Sequence, residues 1–117
     1  MEITAVGKMP ESGDVILTRV KFADGSGSKI RPALVLFEEL GNVVIAGITT
    51  NLRMKGIYLS TSECVPQDSV IKLNYIFTIT NDTILKTVFR LSKEKMQVRN
   101  ISLKELIHNQ NRKHDRV

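Results

Sequence analysis

Residues 15–22 set apolar, mostly β-branched side chains among polar ones, which predicts a strand whose wet face carries Arg19 and Lys21. Residues 23–30 then break the pattern, because Asp24-Gly25-Ser26-Gly27-Ser28 is a dense turn signal. Arg31-Pro32 opens the continuous apolar run Ala33-Leu34-Val35-Leu36-Phe37, the mark of a strand buried on both sides. Pro32 lacks a backbone donor and suits a strand's first residue or an edge position. A turn is expected over residues 38–42, and residues 43–49 return as a third apolar strand ending in Thr49-Thr50-Asn51. Two core strands joined by a short turn predict a hairpin. The start of the second strand and the end of the third are then neighbours, which brings Arg31 beside Thr49.

The remaining pattern completes the element list. Residues 51–56 are polar and basic, with Arg53 and Lys55, and residues 57–60 form a short fourth strand. A loop containing Pro66 spans 61–68. From 69 to 79 apolar residues fall at 71, 73, 75, 77 and 79, a period of two that gives one long strand or two strands with a bend. Residues 81–83 read as a turn or helical turn, and residues 86–91 as a last strand. Ser92 is an N-cap for a helix from 93 to about 108. A capping box of Ser102 with Glu105, and a staple of Ile101 with Leu106, allow a break in that helix near Asn100. Residues 1–12 are a weakly patterned arm, either loose or adding an edge strand through residues 3–6, and residues 109–117 are a basic, frayed tail. Several short strands and one C-terminal helix predict a mainly β protein, a small barrel, in one domain spanning 1–117.

Composition narrows the function classes. The 117 residues are 42% hydrophobic and 25% charged, as in an ordinary globular domain. No apolar run reaches membrane-spanning length, and residues 1–11 lack the apolar stretch of a signal peptide. Cys64 is the single cysteine, so no disulfide framework exists and a cytoplasmic location is expected. Val65-Pro66 beside it predict a packed thiol rather than a nucleophile. His108 and His114 have no partners at metal-ligand spacing; neither a metal nor a cofactor is expected. The net charge of +5 fits a polyanionic partner, nucleic acid or an acidic protein, although many small basic proteins bind neither. With four Phe, two Tyr and no Trp, a sheet that stacks bases on an aromatic platform is not expected.

Three blocks carry a resemblance: Gly13-Asp14-Val15-Ile16, then Ser26-Gly27-Ser28-Lys29-Ile30-Arg31-Pro32-Ala33-Leu34-Val35-Leu36, then Gly47-Ile48-Thr49-Thr50-Asn51. In this order and spacing they resemble the MazF/PemK (Kid) toxin ribonucleases, in the PemK-like branch. The likeness resumes at Asp68-Ser69-Val70-Ile71-Lys72-Leu73 and continues through Phe77-Thr78-Ile79 to Leu91-Ser92, roughly three quarters of the chain in all. It implies an SH3-like barrel of the MazF/CcdB kind that pairs as a homodimer. It also implies metal-independent cleavage of single-stranded RNA, leaving a 2′,3′-cyclic phosphate and a 5′-hydroxyl. An antitoxin with a disordered acidic tail would occupy the same basic surface, and the pair would bind DNA.

The chemistry of RNA agrees with this. Its 2′-hydroxyl attacks the adjacent phosphate when the extra charge on phosphorus is stabilised. Arg31 offers a planar, permanently charged fork of donors matched to phosphate oxygens, and Thr49 adds a short hydroxyl donor. The resemblance implies that this pair is catalytic. Some relatives place a basic and an acidic residue on the later strand; the matching positions are Lys72 and Asn74, and an amide cannot take a proton in that role. Lys29, Ser28, Thr50, Asn51, Arg53, Lys72 and Asn74 are expected to bind substrate, the cations as sequence-independent phosphate contacts. Taken without the family pattern, Arg31 is a surface arginine on loop carbonyls, Thr49 an ordinary strand residue, and Lys29 and Lys72 solvated charges. Asp14 is expected to serve the turn after Gly13. The rival class is a non-catalytic module on the same barrel, which binds RNA or grips a topoisomerase as CcdB toxins do.

Overall fold

The computed structural model describes residues 9–21 and 25–115, with side chains as far as residue 110. Six strands form one antiparallel sheet: β1 (Asp14–Lys21), β2 (Ser28–Glu39), β3 (Asn42–Thr49), β4 (Ile57–Leu59), β5 (Ser69–Thr80) and β6 (Ile84–Arg90). Among the described residues one α-helix, α1 (Lys93–Asp115), follows the sheet. Strand order across the sheet is β4-β5-β3-β2-β1-β6. The expected edge strand through residues 3–6 lies outside the described residues, as does Phe22 at the end of the first predicted strand.

This order forces the sheet to curl. Strands β5 and β6 are separated by β3, β2 and β1, four spacings or roughly 19 Å in a flat sheet. Only the short 3-10 turn Asn81–Thr83 joins them, and Thr80 to Ile84 reaches at most about 14 Å even when extended. The sheet therefore wraps into a half-barrel. The turn is pinned at both sides: the Asn81 N–H donates to the Gly41 carbonyl (3.0 Å), and the buried Thr18 hydroxyl donates to the Thr83 carbonyl (3.0 Å).

Curling gives two apolar layers. On one face Val15, Leu34, Leu36, Ala46, Ile48 and Ile71 pack under α1, which contributes Met96, Leu103 and Leu106. On the other face Ile16, Ala33, Val35, Val43 and Ile45 are buried beneath Phe77, Ile79 and Ile84. Gly13 ties the layers together. Its N–H donates to Val35, its carbonyl accepts from Leu91, and a Cβ there would lie 2.6 Å from the Met96 sulfur. Asp14 serves this corner as expected, accepting from the Glu11 N–H (2.8 Å) and the Arg90 guanidinium (2.9 Å). Arg99 of α1 is buried there, donating to Ser12 and Asn100. Burial, and secondarily the nearby Arg90, hold its guanidinium below the usual arginine range.

Three expectations need correction. The helix runs unbroken through Asn100, because Leu103 and Leu106 keep it seated on the core; a local capping box does not outweigh that burial. Its N-terminus is as expected, with Ser92 Oγ accepting from the Lys95 N–H (3.2 Å). The turn between β2 and β3 is only Leu40-Gly41, both at positive φ, so β2 extends to Glu39. Cys64 is exposed rather than packed, at φ 72 after the turn Thr61–Glu63. No described helix is long and apolar enough to cross a membrane.

Candidate functional site

β2 and β3 pair with Ala33 opposite Gly47. Continuing that register by two residues sets Arg31 opposite Thr49, where paired Cβ atoms lie about 5 Å apart. On the far side of β3, Gly47 faces Lys72 and Thr49 faces Val70 of β5. Three strands thus deliver Arg31, Thr49 and Lys72 to one place. A cleft of about 430 Å³ opens there, and these three line it with Thr50, Lys21 and Ser69. It is open because Ala33 and Gly47, two of the smallest residues, are paired at its floor and leave its space unfilled.

The cleft is electropositive by construction. Lys21, Arg31 and Lys72 line it, and no Asp, Glu or His does so among the described residues. The Arg31 guanidinium is exposed, and no hydrogen bond or ion pair to it forms among the described residues. The Thr49 hydroxyl oxygen accepts from the Asn51 N–H (3.1 Å), which leaves its own proton free to be donated to a bound anion. Asn51 in turn accepts from the Arg53 N–H (3.1 Å), so its side-chain oxygen shapes the loop after β3.

The remaining expected residues are distributed unequally. Lys29 shares the face of Arg31 one strand repeat away, opposite Val20, though it does not line the cleft. Ser28 pairs with Lys21 of β1 and accepts from the Arg19 guanidinium (3.5 Å), outside the cleft lining. Asn51, Arg53 and Asn74 are exposed and stand outside the lining.

Asn74 misses the cleft for a structural reason. The β3–β5 pairing jumps from Ala46 opposite Ile76 to Gly47 opposite Lys72, which leaves residues 73–75 as a bulge. Just before the bulge the even-numbered Lys72 faces the cleft; after it the odd-numbered Tyr75 and Phe77 do. Ile71 and Leu73 therefore join the core under α1, whereas Phe77 and Ile79 cover the opposite face. The strict alternation from 71 to 79 predicts one shared face, and the bulge divides it.

That inversion delivers residues the sequence pattern did not single out. Tyr75 and Phe77 line the cleft beside Lys72. Their rings are 5.3 Å apart and tilted by 57°, and the Lys72 ammonium lies 5.0 Å over the Tyr75 centroid. Two of the six aromatics thus converge on one spot, despite their scarcity overall. The available signal was Gly47, whose missing side chain makes room for the ring.

Comparison with known proteins bears on this arrangement. The fold is similar to that of an endoribonuclease in complex with its cognate antitoxin from a mycobacterial species, with a TM-score of 0.62 and 17% identity over 85% of this chain and 93% of that one. It is also similar to the Mycobacterium tuberculosis toxin MazF-mt6, with a TM-score of 0.59 and 24% identity over 80% of this chain and 93% of that one. No curated protein matches the sequence. A model of the PemK-like, MazF-like toxins of type II toxin-antitoxin systems matches residues 11–107. Since that match covers every strand of the half-barrel and most of α1, the chain belongs to the PemK-like, MazF-like toxin family.

Proposed function

We propose that this toxin is a metal-independent endoribonuclease that cuts single-stranded RNA. The observation that carries the reading is the convergence of Arg31, Thr49 and Lys72 in one cleft. A scissile phosphate seated there meets the Arg31 fork and the Thr49 hydroxyl together. The 2′-oxygen attacks phosphorus, the 5′-oxygen leaves, and the products are a 2′,3′-cyclic phosphate and a 5′-hydroxyl. Arg31 and Lys72 stabilise the charge that grows on the phosphoryl oxygens, and Thr49 donates to one of them. The cleft's cations and hydroxyls suit an anion and would repel a metal ion. With no carboxylate or imidazole in the described lining, the 2′-proton passes to water or hydroxide, and the departing 5′-oxygen takes its proton from water.

A structural neighbour described as an endoribonuclease with its cognate antitoxin supports the same partners for this chain. Unpaired RNA fits because its backbone can be drawn into a groove. The partners proposed are RNA, a second copy of the chain in a homodimer, and an antitoxin whose acidic tail neutralises the cleft. The setting is cytoplasmic. The test is incubation of long single-stranded RNA with the protein in excess chelator, followed by end analysis. Fragments ending in cyclic phosphate and 5′-hydroxyl support the reading, and intact RNA across varied sequences sinks it.

One observation favours a second reading. The lack of any proton-accepting side chain in the described lining also fits a module that binds RNA without cutting it. Retained binding with intact RNA identifies that case.

A further inference from the structure

The β5 bulge does more than remove Asn74 from the cleft. It turns Tyr75 inward, and the ring that arrives there remains 52% exposed. An aromatic side chain of this size is ordinarily kept for a core or for a contact. Tyr75 is neither buried nor loose. Its edge lies against Gly47, where an added Cβ would come within 2.7 Å of Cδ2. Phe77 is tilted against it at 5.3 Å, and Lys72 stands over its face at 5.0 Å. A ring fixed in this way, and beside the cations of the cleft, is a preformed flat surface.

We propose that Tyr75 stacks on a nucleobase of the bound single strand, next to the phosphate held by Arg31, and that Gly47 is the residue that positions its ring. This deepens the ribonuclease reading and rests on it for the identity of the ligand. Phosphate groups bring a strand to the cations without regard to base; a π-face adds affinity for the base itself and tolerates any of the four. Stacking accordingly strengthens binding of the strand at this subsite without selecting its sequence. Gly47 admits no side chain because the ring occupies that space.

The experiment uses short 2′-O-methyl RNA, which lacks the attacking hydroxyl and so reports binding without cleavage. Affinity is read by fluorescence anisotropy for the wild type, Tyr75→Phe, Tyr75→Ala and Gly47→Ala, each checked for an unchanged melting temperature. Tyr75→Phe is expected to bind as the wild type does, and Tyr75→Ala about 5- to 100-fold more weakly. Gly47→Ala, by displacing the ring, should fall between them. A series of oligonucleotides with a single abasic position supplies a readout that a purely structural role would not move. One abasic position should weaken the wild type by the factor seen for Tyr75→Ala, and that same position should leave Tyr75→Ala unaffected. Equal binding by wild type and Tyr75→Ala, or an abasic scan indifferent to Tyr75, overturns the proposal. Tyr75-dependent binding of a protein that cuts no RNA would overturn the ribonuclease reading and leave the stacking site standing.

Discussion

The two faces of the half-barrel share the same strands and differ in what fills them. Beneath α1, Leu34, Leu36, Ile48 and Ile71 meet Met96, Leu103 and Leu106, and the space is occupied by side chains throughout. On the opposite face, Val35, Val43 and Ile45 are similarly covered near the β2–β3 turn. Towards the other end that layer runs out: Ala33 pairs with Gly47, and Arg31 and Thr49 stand where large apolar residues would continue it. Strand β2 shows the contrast in consecutive residues, since Leu34 closes one face while Ala33 leaves the other open. A cleft therefore needs no special fold element. It needs two small residues in register, a bulge in the neighbouring strand, and cations at the rim.

The comparison is broken most sharply by substitutions that affect one face only. Arg31→Ala should lower cleavage about 1,000-fold, as expected when a fixed donor to a developing anion is removed. Its stability in denaturant should change by less than about 0.5 kcal/mol, because the side chain is exposed. Leu34→Ala should do the reverse, destabilising the fold by about 2–5 kcal/mol, since Leu34 is fully buried under α1. Any Leu34→Ala protein that remains folded should retain its cleavage rate. Thr49→Val should slow cleavage roughly 10- to 100-fold through loss of one hydrogen bond to a charged group. The pH profile sharpens the point. With no carboxylate or imidazole in the described lining, kcat/KM should climb with pH through the range of about 5 to 8 without an inflection. An inflection there would reveal a base from outside the cleft.

The smallest effect lies at the far edge of the sheet. The Tyr58 hydroxyl donates to Asp68 (2.8 Å), and that bond, with a lesser part from desolvation and nearby acids, raises the phenol above the usual tyrosine range. A raised folded value means that the contribution to stability is present below the unfolded value and is lost as pH rises through the folded one. Ultraviolet titration of the tyrosines should thus show an upshifted phenol that disappears in Tyr58→Phe.

Much of this was legible in the chain itself. The apolar runs around Leu34 and Ile45, and the short turn between them, already bring the start of one strand beside the end of the next and so Arg31 near Thr49; the irregularity between Val35 and Phe37 that sets Ala33 opposite Gly47 left no mark in the sequence. The helix, its Ser92 cap and the role of Asp14 follow from equally local signals. Tyr75 did not follow, because a bulge changes which face a residue occupies and leaves no mark in an alternating apolar pattern. The continuity of α1 past Asn100 was hidden for the opposite reason. Ser102 and Glu105 carry a local stop signal, and the burial of Leu103 and Leu106 that overrides it is a property of the assembled core.

The most direct test of the central claim is a double-mutant cycle on single-turnover cleavage of one RNA, with Arg31→Ala, Thr49→Val and the pair. If both side chains hold the same phosphate, their losses are coupled, and the double variant should be impaired markedly less than the product of the two single losses. Losses that simply multiply, or an Arg31→Ala protein that cuts at the wild-type rate, would contradict the account.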